Sequence, residues 1–301
     1  MPADTSFRAA AVQMNTQDDK AHNLDRAVSL IGSAVSQGAQ MVALPENFNY
    51  LGTPEAQVDN AETITGPSLT CMADQGRAHG IYLCAGSILE KVEGEEKLFN
   101  TSVLFGPDGD QVARYRKVHL FDIDVTGQVA ANESAIMAPG NEIVVAETDL
   151  ATLGMSICYD LRFPELYRSL ALQGAQLIAA PAAFTLYTGK DHWELLVRAR
   201  AVENTVYLVA PAQFGRYPDA EHSFGNTMIV DPWGTVVARA ADREVAVVAD
   251  VDLGWQATVR TAVPSLRSRR PDVYRLDPPG DTAFGTQRSG KQLPETERET
   301  P

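Results

Sequence analysis

The sequence predicts an α/β fold, a four-layer α-β-β-α sandwich of two mixed sheets with helices outside. Three observations carry this expectation. Helix and strand patterns alternate along almost the whole chain, several strands are joined by tight turns rather than helices, and the strands are short continuous apolar runs. Crossover helices join parallel strands and tight turns join antiparallel ones, so a mixture of both builds mixed sheets. Continuous apolar strands need cover on both faces, which stacked sheets with outer helices provide.

Residues 6–14 read as the first strand. A helix follows over 23–37, where Leu24, Ala27, Val28, Ile31, Ala34 and Val35 recur three and four apart, and Gly38 ends it. Residues 41–44 form the next strand. A second helix is expected over 68–79, with Ser68 as its cap and Gly80 as its stop. One strand is expected over 81–89. Residues 101–105 and 112–117 form a hairpin around Gly106-Pro-Asp-Gly109, a strong turn sequence. Strands over 143–147 and 152–157 make another pair. Pro164 suits the first turn of a helix running to Gln173, with Gly174 after it. A strand over 176–180, a helix over 190–205 and a strand over 206–210 follow. Strands over 227–230, 235–240 and 245–251, with Asp231-Pro-Trp-Gly234 as a turn, complete the pattern. The recurrence of helix, strand and strand-end reactive residue in both halves points to an internal pseudo-twofold. Residues 1–275 are expected to form one domain. From 276 to 301 the chain is rich in Pro, Gly, Thr and charge, which suits a loose tail or an arm packed on a partner.

Hydrophobic residues make up 45% and charged residues 21% of the 301, values that suit a globular enzyme rather than a disordered chain. A net charge of -14 with no basic stripe argues against a nucleic-acid partner. The start, MPADTSFRAAAVQMN, lacks the basic segment and apolar core of a secretory signal, and no run reaches the roughly twenty apolar residues that cross a bilayer. A cytoplasmic protein with no membrane contact is expected. Three cysteines without a CxxC pair fit a reducing compartment, and Cys71 and Cys84 read as structural. The five histidines, His22, His79, His119, His192 and His222, form no HxxH, HExxH or Cys/His cluster, and no phosphate loop or dinucleotide fingerprint occurs. No metal and no cofactor are expected.

Three apolar runs end in reactive side chains. Thr152-Leu-Gly-Met-Ser-Ile-Cys158 places a thiol at a strand end just before a helix start, where backbone N–H groups are oriented toward a ligand. A lone cysteine there also suits a small buried hydrophobe. Met41-Val-Ala-Leu44 stops at Pro45 and delivers Glu46; the strand over 111–117 delivers Lys117. A thiol nucleophile needs a base, and the oxyanion it creates needs a positive charge or N–H donors. Cysteine, glutamate and lysine supply these roles together.

The stretches LPENF around Glu46, YRKVHLFD around Lys117 and GMSICYDLRFPEL around Cys158, in that order, closely resemble the nitrilase superfamily of carbon-nitrogen hydrolases. The resemblance covers residues 7–274. It extends through PAAFTLYTGKDHWELLVRARAVEN, FGNTMIVDPWG and RSRRPDVY, and is greatest to the branch of omega-amidases and deaminated-glutathione amidases. It implies the sandwich fold and a Glu46-Lys117-Cys158 triad, with Glu133 as a second glutamate beside the lysine that orients substrate. Two carboxylates beside one ammonium in a water-poor pocket favour a shared proton. The Tyr159 N–H is expected to join Lys117 in binding the oxyanion. Arg162 is expected to grip a substrate carboxylate in two-point fashion, unless it forms a structural ion pair with Asp160 or Glu165. Phe184 and Thr188 match further substrate-contacting positions. Glu165 reads as complementing a helix dipole, Glu194 and Arg198 as an intrahelical pair, and His119 and His192 as structural hydrogen-bonders.

The resemblance thus implies hydrolysis of a small carboxylate-bearing amide through a thioester. The partners expected are that small molecule and further copies of the chain, as a homodimer or higher homo-oligomer touching through residues 162–173 and the tail after Arg269. An N-carbamoyl amino-acid hydrolase or a nitrilase would use the same triad, although Cys158-Tyr-Asp differs from the usual Cys-Trp-Glu of nitrilases. A Cys-His protease would need a histidine base. A non-catalytic binding protein on the same scaffold would need none of the three.

Overall fold

Successive residues of the early strands point to opposite sides, and that alternation builds the layers. The computed structural model describes residues 6–217 and 222–274. Contacts divide the chain into one compact unit through Leu266 and a second from Arg267. In the first unit, β1 (Ser6–Gln13), α1 (Lys20–Ser36), β2 (Met41–Ala43), α2 (Pro54–Asp59), α3 (Pro67–His79), β3 (Tyr82–Cys84) and β4 (Ile88–Glu90) come first. Then follow β5 (Phe99–Phe105), β6 (Gln111–Arg116), β7 (Asp122–Val125), β8 (Val129–Asn132), β9 (Val145–Glu147) and β10 (Thr152–Met155). The remainder is α4 (Pro164–Leu172), β11 (Leu177–Ala179), α5 (Leu186–Asn204), β12 (Tyr207–Ala210), β13 (Phe214–Arg216), β14 (His222–Phe224), β15 (Met228–Val230), β16 (Val236–Arg239), β17 (Val245–Asp252) and α6 (Leu253–Ala262).

One sheet runs β17-β1-β2-β3-β5-β4 with β6 also on β5, and the other β16-β15-β12-β11-β10-β9. Each centres on a parallel trio, β1-β2-β3 and β10-β11-β12, flanked by antiparallel strands. Ala9, Ala11, Met41, Ala43, Tyr82 and Cys84 face the second sheet and share a core with Leu153, Met155, Leu177 and Ala179. The intervening Ala10, Val12, Val42 and Leu83 pack instead against Ala27, Ile31 and Ala34 of α1 and Leu69 and Met72 of α3. Tyr167 and Leu170 of α4 and Trp193 and Val197 of α5 join the second sheet's core, so helices cover both outer faces. This is the α-β-β-α order expected.

Several boundaries differ for identifiable reasons. The second expected helix starts at Pro67, and Ser68 is inside it rather than capping it. The capping acceptor comes from outside: Glu62 takes the Ser68 N–H at 2.9 Å and its hydroxyl at 2.7 Å. The strand expected over 81–89 is two strands, broken at Gly86, whose φ of +47° lies in the left-handed region. The helix expected from Lys190 begins four residues earlier, because Thr185 caps the N–H of Thr188. The ribbon β7–β8 and the helices α2 and α6 were not expected. The ribbon is short and half-exposed, and α2 has no buried residue, so neither shows a clear apolar period. In the second unit Arg270 pairs with Asp272 at 2.7 Å, and its N–H donates to the Tyr274 hydroxyl. Residues 276–301, the expected tail, lie outside the described residues. Among the described residues no helix is long and apolar enough to cross a membrane.

Gly86 gives a test of this geometry. A Cβ there would overlap the Pro45 carbonyl oxygen, whereas one at Gly80, also at positive φ, meets nothing within 4 Å. Gly80→Ala is expected to cost only the left-handed penalty of about 1–2 kcal/mol, and Gly86→Ala clearly more. Thermal unfolding of the two variants checks the ranking.

Candidate active site

Glu46 follows β2, Lys117 follows β6, and Cys158 opens a 3₁₀ turn (Cys158–Arg162) after β10. The two sheets therefore bring their strand ends to one place between them, and all three side chains are buried. The Lys117 ammonium, 1% exposed, donates to Glu46 Oε1 at 3.0 Å and to Glu133 Oε1 at 2.9 Å. Glu133 stands in a single 3₁₀ turn (Glu133–Ala135) after β8, and its other oxygen accepts the Phe121 N–H at 2.8 Å. Glu46 Oε1 also accepts from Asn100 Nδ2 at 2.8 Å, and Oε2 accepts the Ala183 N–H at 2.8 Å. The Glu46 carboxylate is thus gripped by groups from both sheets.

Burial opposes the charge on Lys117, but the fields of Glu133 and Glu46, followed by that of Cys158, outweigh it and hold the lysine well above its usual range. The Cys158 thiol is also pushed well above its usual range, first by burial and then by the negative Glu46; Lys117 pulls the other way and does not prevail. The sulfur is therefore held as a thiol beside a carboxylate able to take its proton. Cys158 itself sits at φ +49°, a left-handed conformation unusual for a residue with a Cβ. Its N–H donates to the Pro181 carbonyl at 2.8 Å. Cys71 lies in α3 and the fully buried Cys84 in β3, where burial lifts the Cys84 thiol to about 11.

Three of the expected substrate contacts, Tyr159, Arg162 and Phe184, lie together. Arg162 lies 5.7 Å from the Tyr159 ring centroid and 5.4 Å from that of Phe184, and its Nη1 meets His192 Nδ1 at 3.2 Å. Among the described residues it forms no ion pair with Asp160 or Glu165, so its guanidinium has no carboxylate of its own. Phe184 is buried against Trp193. The Thr188 hydroxyl faces Thr185 Oγ1 at 3.0 Å in the first turn of α5, so it also serves that helix's cap. Glu165 falls in the first turn of α4. Glu194 meets Arg198 at 3.5 Å and also Arg239 at 2.8 Å.

Four groups take roles that the sequence does not assign them. Asn100 and the Ala183 N–H fix Glu46, and Gln213 Nε2 donates to the Glu46 carbonyl at 2.9 Å. Asp160, fully buried, binds His119 Nδ1 at 2.7 Å and the Tyr115 hydroxyl at 2.7 Å. The hairpin carried a partial signal for Asn100, since its ladder sets Asn100 beside Lys117, whose N–H donates to the Asn100 carbonyl. A bulge at Leu104 and Phe105 shifts that register and hides the pairing.

Because Glu46 raises the Cys158 thiol and Lys117 lowers it, Glu46→Gln is expected to move the pH midpoint of Cys158 alkylation downward, and Lys117→Ala upward. Peptide-resolved mass spectrometry of iodoacetamide labelling across pH measures both. An unchanged midpoint in Glu46→Gln would show that its charge does not reach the sulfur.

Known proteins share this arrangement of elements. The family model described as carbon-nitrogen hydrolase matches residues 8–260. The human omega-amidase NIT2 is 43% identical over 274 residues, covering 91% of this chain and 98% of that protein. The deaminated glutathione amidase of Synechocystis is 42% identical, covering 87% and 98% respectively. The crystal structure of the C. elegans NitFhit protein matches with a TM-score of 0.84 at 37% identity, over 90% of this chain and 66% of that longer one. The match spans both sheets and every residue of the buried Glu-Lys-Cys cluster, and the chain belongs to the carbon-nitrogen hydrolase family.

Proposed function

We propose that this chain hydrolyses a small carboxylate-bearing amide through a thioester on Cys158. The observation that carries this is the placement of Glu46, bound on one oxygen by Lys117 and on the other by the Ala183 N–H, beside a thiol kept protonated. Cys158 Sγ attacks the amide carbonyl carbon as its proton passes to Glu46. The carbonyl oxygen becomes an oxyanion held by Lys117 and the Tyr159 N–H. Glu46 returns the proton to the nitrogen, the C–N bond breaks, and ammonia or an amine leaves. Water then attacks the thioester, giving a proton to Glu46 that ends on the departing sulfur as the acid is released. Glu133 fixes the Lys117 ammonium from its second side.

Arg162 supplies the specificity. A guanidinium between two aromatic rings and free of an acidic partner among the described residues suits the carboxylate of an alpha-keto acid. The relatives named omega-amidase and deaminated glutathione amidase support the amide-hydrolase reading. Three free cysteines agree with a cytoplasmic setting.

Steady-state release of ammonia from alpha-keto omega-amides tests the scheme. Cys158→Ala and Glu46→Gln are expected to abolish turnover, and Lys117→Ala to lower kcat by about 100- to 1000-fold, as for the loss of one oxyanion donor. Arg162→Ala is expected to raise KM for carboxylate-bearing amides by roughly 10- to 100-fold with less effect on kcat. Faster release of ammonia together with carbon dioxide from an N-carbamoyl amino acid would point instead to a carbamoyl substrate, and near-normal activity of Cys158→Ala would overturn the thioester.

A further inference from the structure

We propose that Asp160 is the positioning residue that sets the nucleophile against the oxyanion-binding lysine. Its carboxylate has no exposure and takes four donors. Oδ2 accepts the Ile157 N–H at 2.8 Å and the Tyr115 hydroxyl at 2.7 Å; Oδ1 accepts the His119 N–H at 3.1 Å and lies 2.7 Å from His119 Nδ1. The choice of partners is informative. Ile157 immediately precedes Cys158, while Tyr115 and His119 stand two residues to either side of Lys117. One carboxylate therefore joins the turn carrying the sulfur, from one sheet, to the segment carrying the ammonium, from the other.

The turn needs such a hold. Cys158 is in the left-handed region, a conformation that is strained for a residue with a Cβ and persists only where its surroundings over-determine it. Asp160 closes that turn twice, through its side chain on the Ile157 N–H and through its own N–H on the Ile157 carbonyl at 3.0 Å. On the lysine side, Tyr115 is fully buried and also takes the Val118 N–H on its hydroxyl oxygen at 3.3 Å. The His119 ring is stacked on Phe163 at 3.6 Å, one residue beyond the turn. Packing and hydrogen bonds thus lock the same two segments together, and a buried carboxylate with its acceptors filled tolerates little displacement.

Asp160 touches no reacting atom and acts through Ile157, Tyr115 and His119. The inference rests on the proposed roles of Cys158 and Lys117. Asp160→Asn keeps the size but replaces an acceptor with a donor, which faces the Ile157 N–H and the Tyr115 hydroxyl in one orientation and the His119 N–H in the other. Its kcat is expected to fall by about 100-fold, the loss typical of a catalytic group displaced by about 1 Å, with KM nearly unchanged and near-native circular dichroism. Tyr115→Phe, a milder deletion of one bond to Asp160, is expected to lower kcat less. The double variant is expected to be no worse than Asp160→Asn alone, because both act through one link. A folded Asp160→Asn enzyme with kcat within twofold of the parent overturns the proposal. If that variant does not fold, Tyr115→Phe and His119→Ala stand in for it, and wild-type kcat in both overturns it equally. Cys158→Ala assayed alongside separates the two failures: its inactivity beside a normal Asp160→Asn removes only the positioning role, whereas its activity removes the thioester reading.

Discussion

The buried ammonium of Lys117 is the constraint on which the site depends. A cation in that position without partners would be expelled or discharged, at a cost of several kcal/mol. Glu46 and Glu133 hold it at 3.0 and 2.9 Å and keep it charged. The arrangement also governs the sulfur. Burial first, and then the negative charge of Glu46, disfavour a thiolate at Cys158, so the thiol keeps its proton until Glu46 accepts it. Nucleophile activation and oxyanion binding are then parts of a single charge balance.

Sheet geometry brings that balance together. Glu46 leaves β2 and Lys117 leaves β6 in one sheet, while Cys158 leaves β10 and the Ala183 N–H comes just after β11 in the other. The ends of parallel strands carry turns whose backbone groups point outward, and functional groups collect there. Small residues at Ala9, Ala11, Ala43 and Ala179 share the core between the sheets. The pairing of these sheet ends is held by a few polar links, with Asp160 joining the cysteine turn to the lysine segment and Gln213 joining Glu46 to the second sheet's side.

The sequence made much of this legible, unevenly. The short apolar runs within 6–14 and 41–44 were enough for β1 and β2, because both faces of each strand meet an apolar layer. The start of α3 was misplaced because its capping carboxylate, Glu62, lies in the preceding loop rather than at the cap position. The strand after it was read too long because Gly86 turns the chain without interrupting its apolar composition. At the site, Glu46, Lys117 and Cys158 stood out as reactive side chains ending apolar runs. Asn100 and Asp160 did not, since a polar residue within a strand or turn shows its importance only through the group it meets.

By itself the sequence determined the local structure and the chemical types available: strand ends carrying a thiol, a carboxylate and an ammonium, and an arginine four residues beyond the thiol. These follow from side-chain periodicity and from bond-breaking chemistry, which are properties of short segments. Tertiary structure alone decided which oxygen of Glu46 meets Lys117 and which meets Ala183, that Arg162 stands apart from Asp160 and Glu165, and that Asp160 joins residues 41 and 45 positions earlier in the chain. Those facts depend on the packing of one sheet against another, and hydrogen bonds act over about 3 Å whatever the separation in sequence.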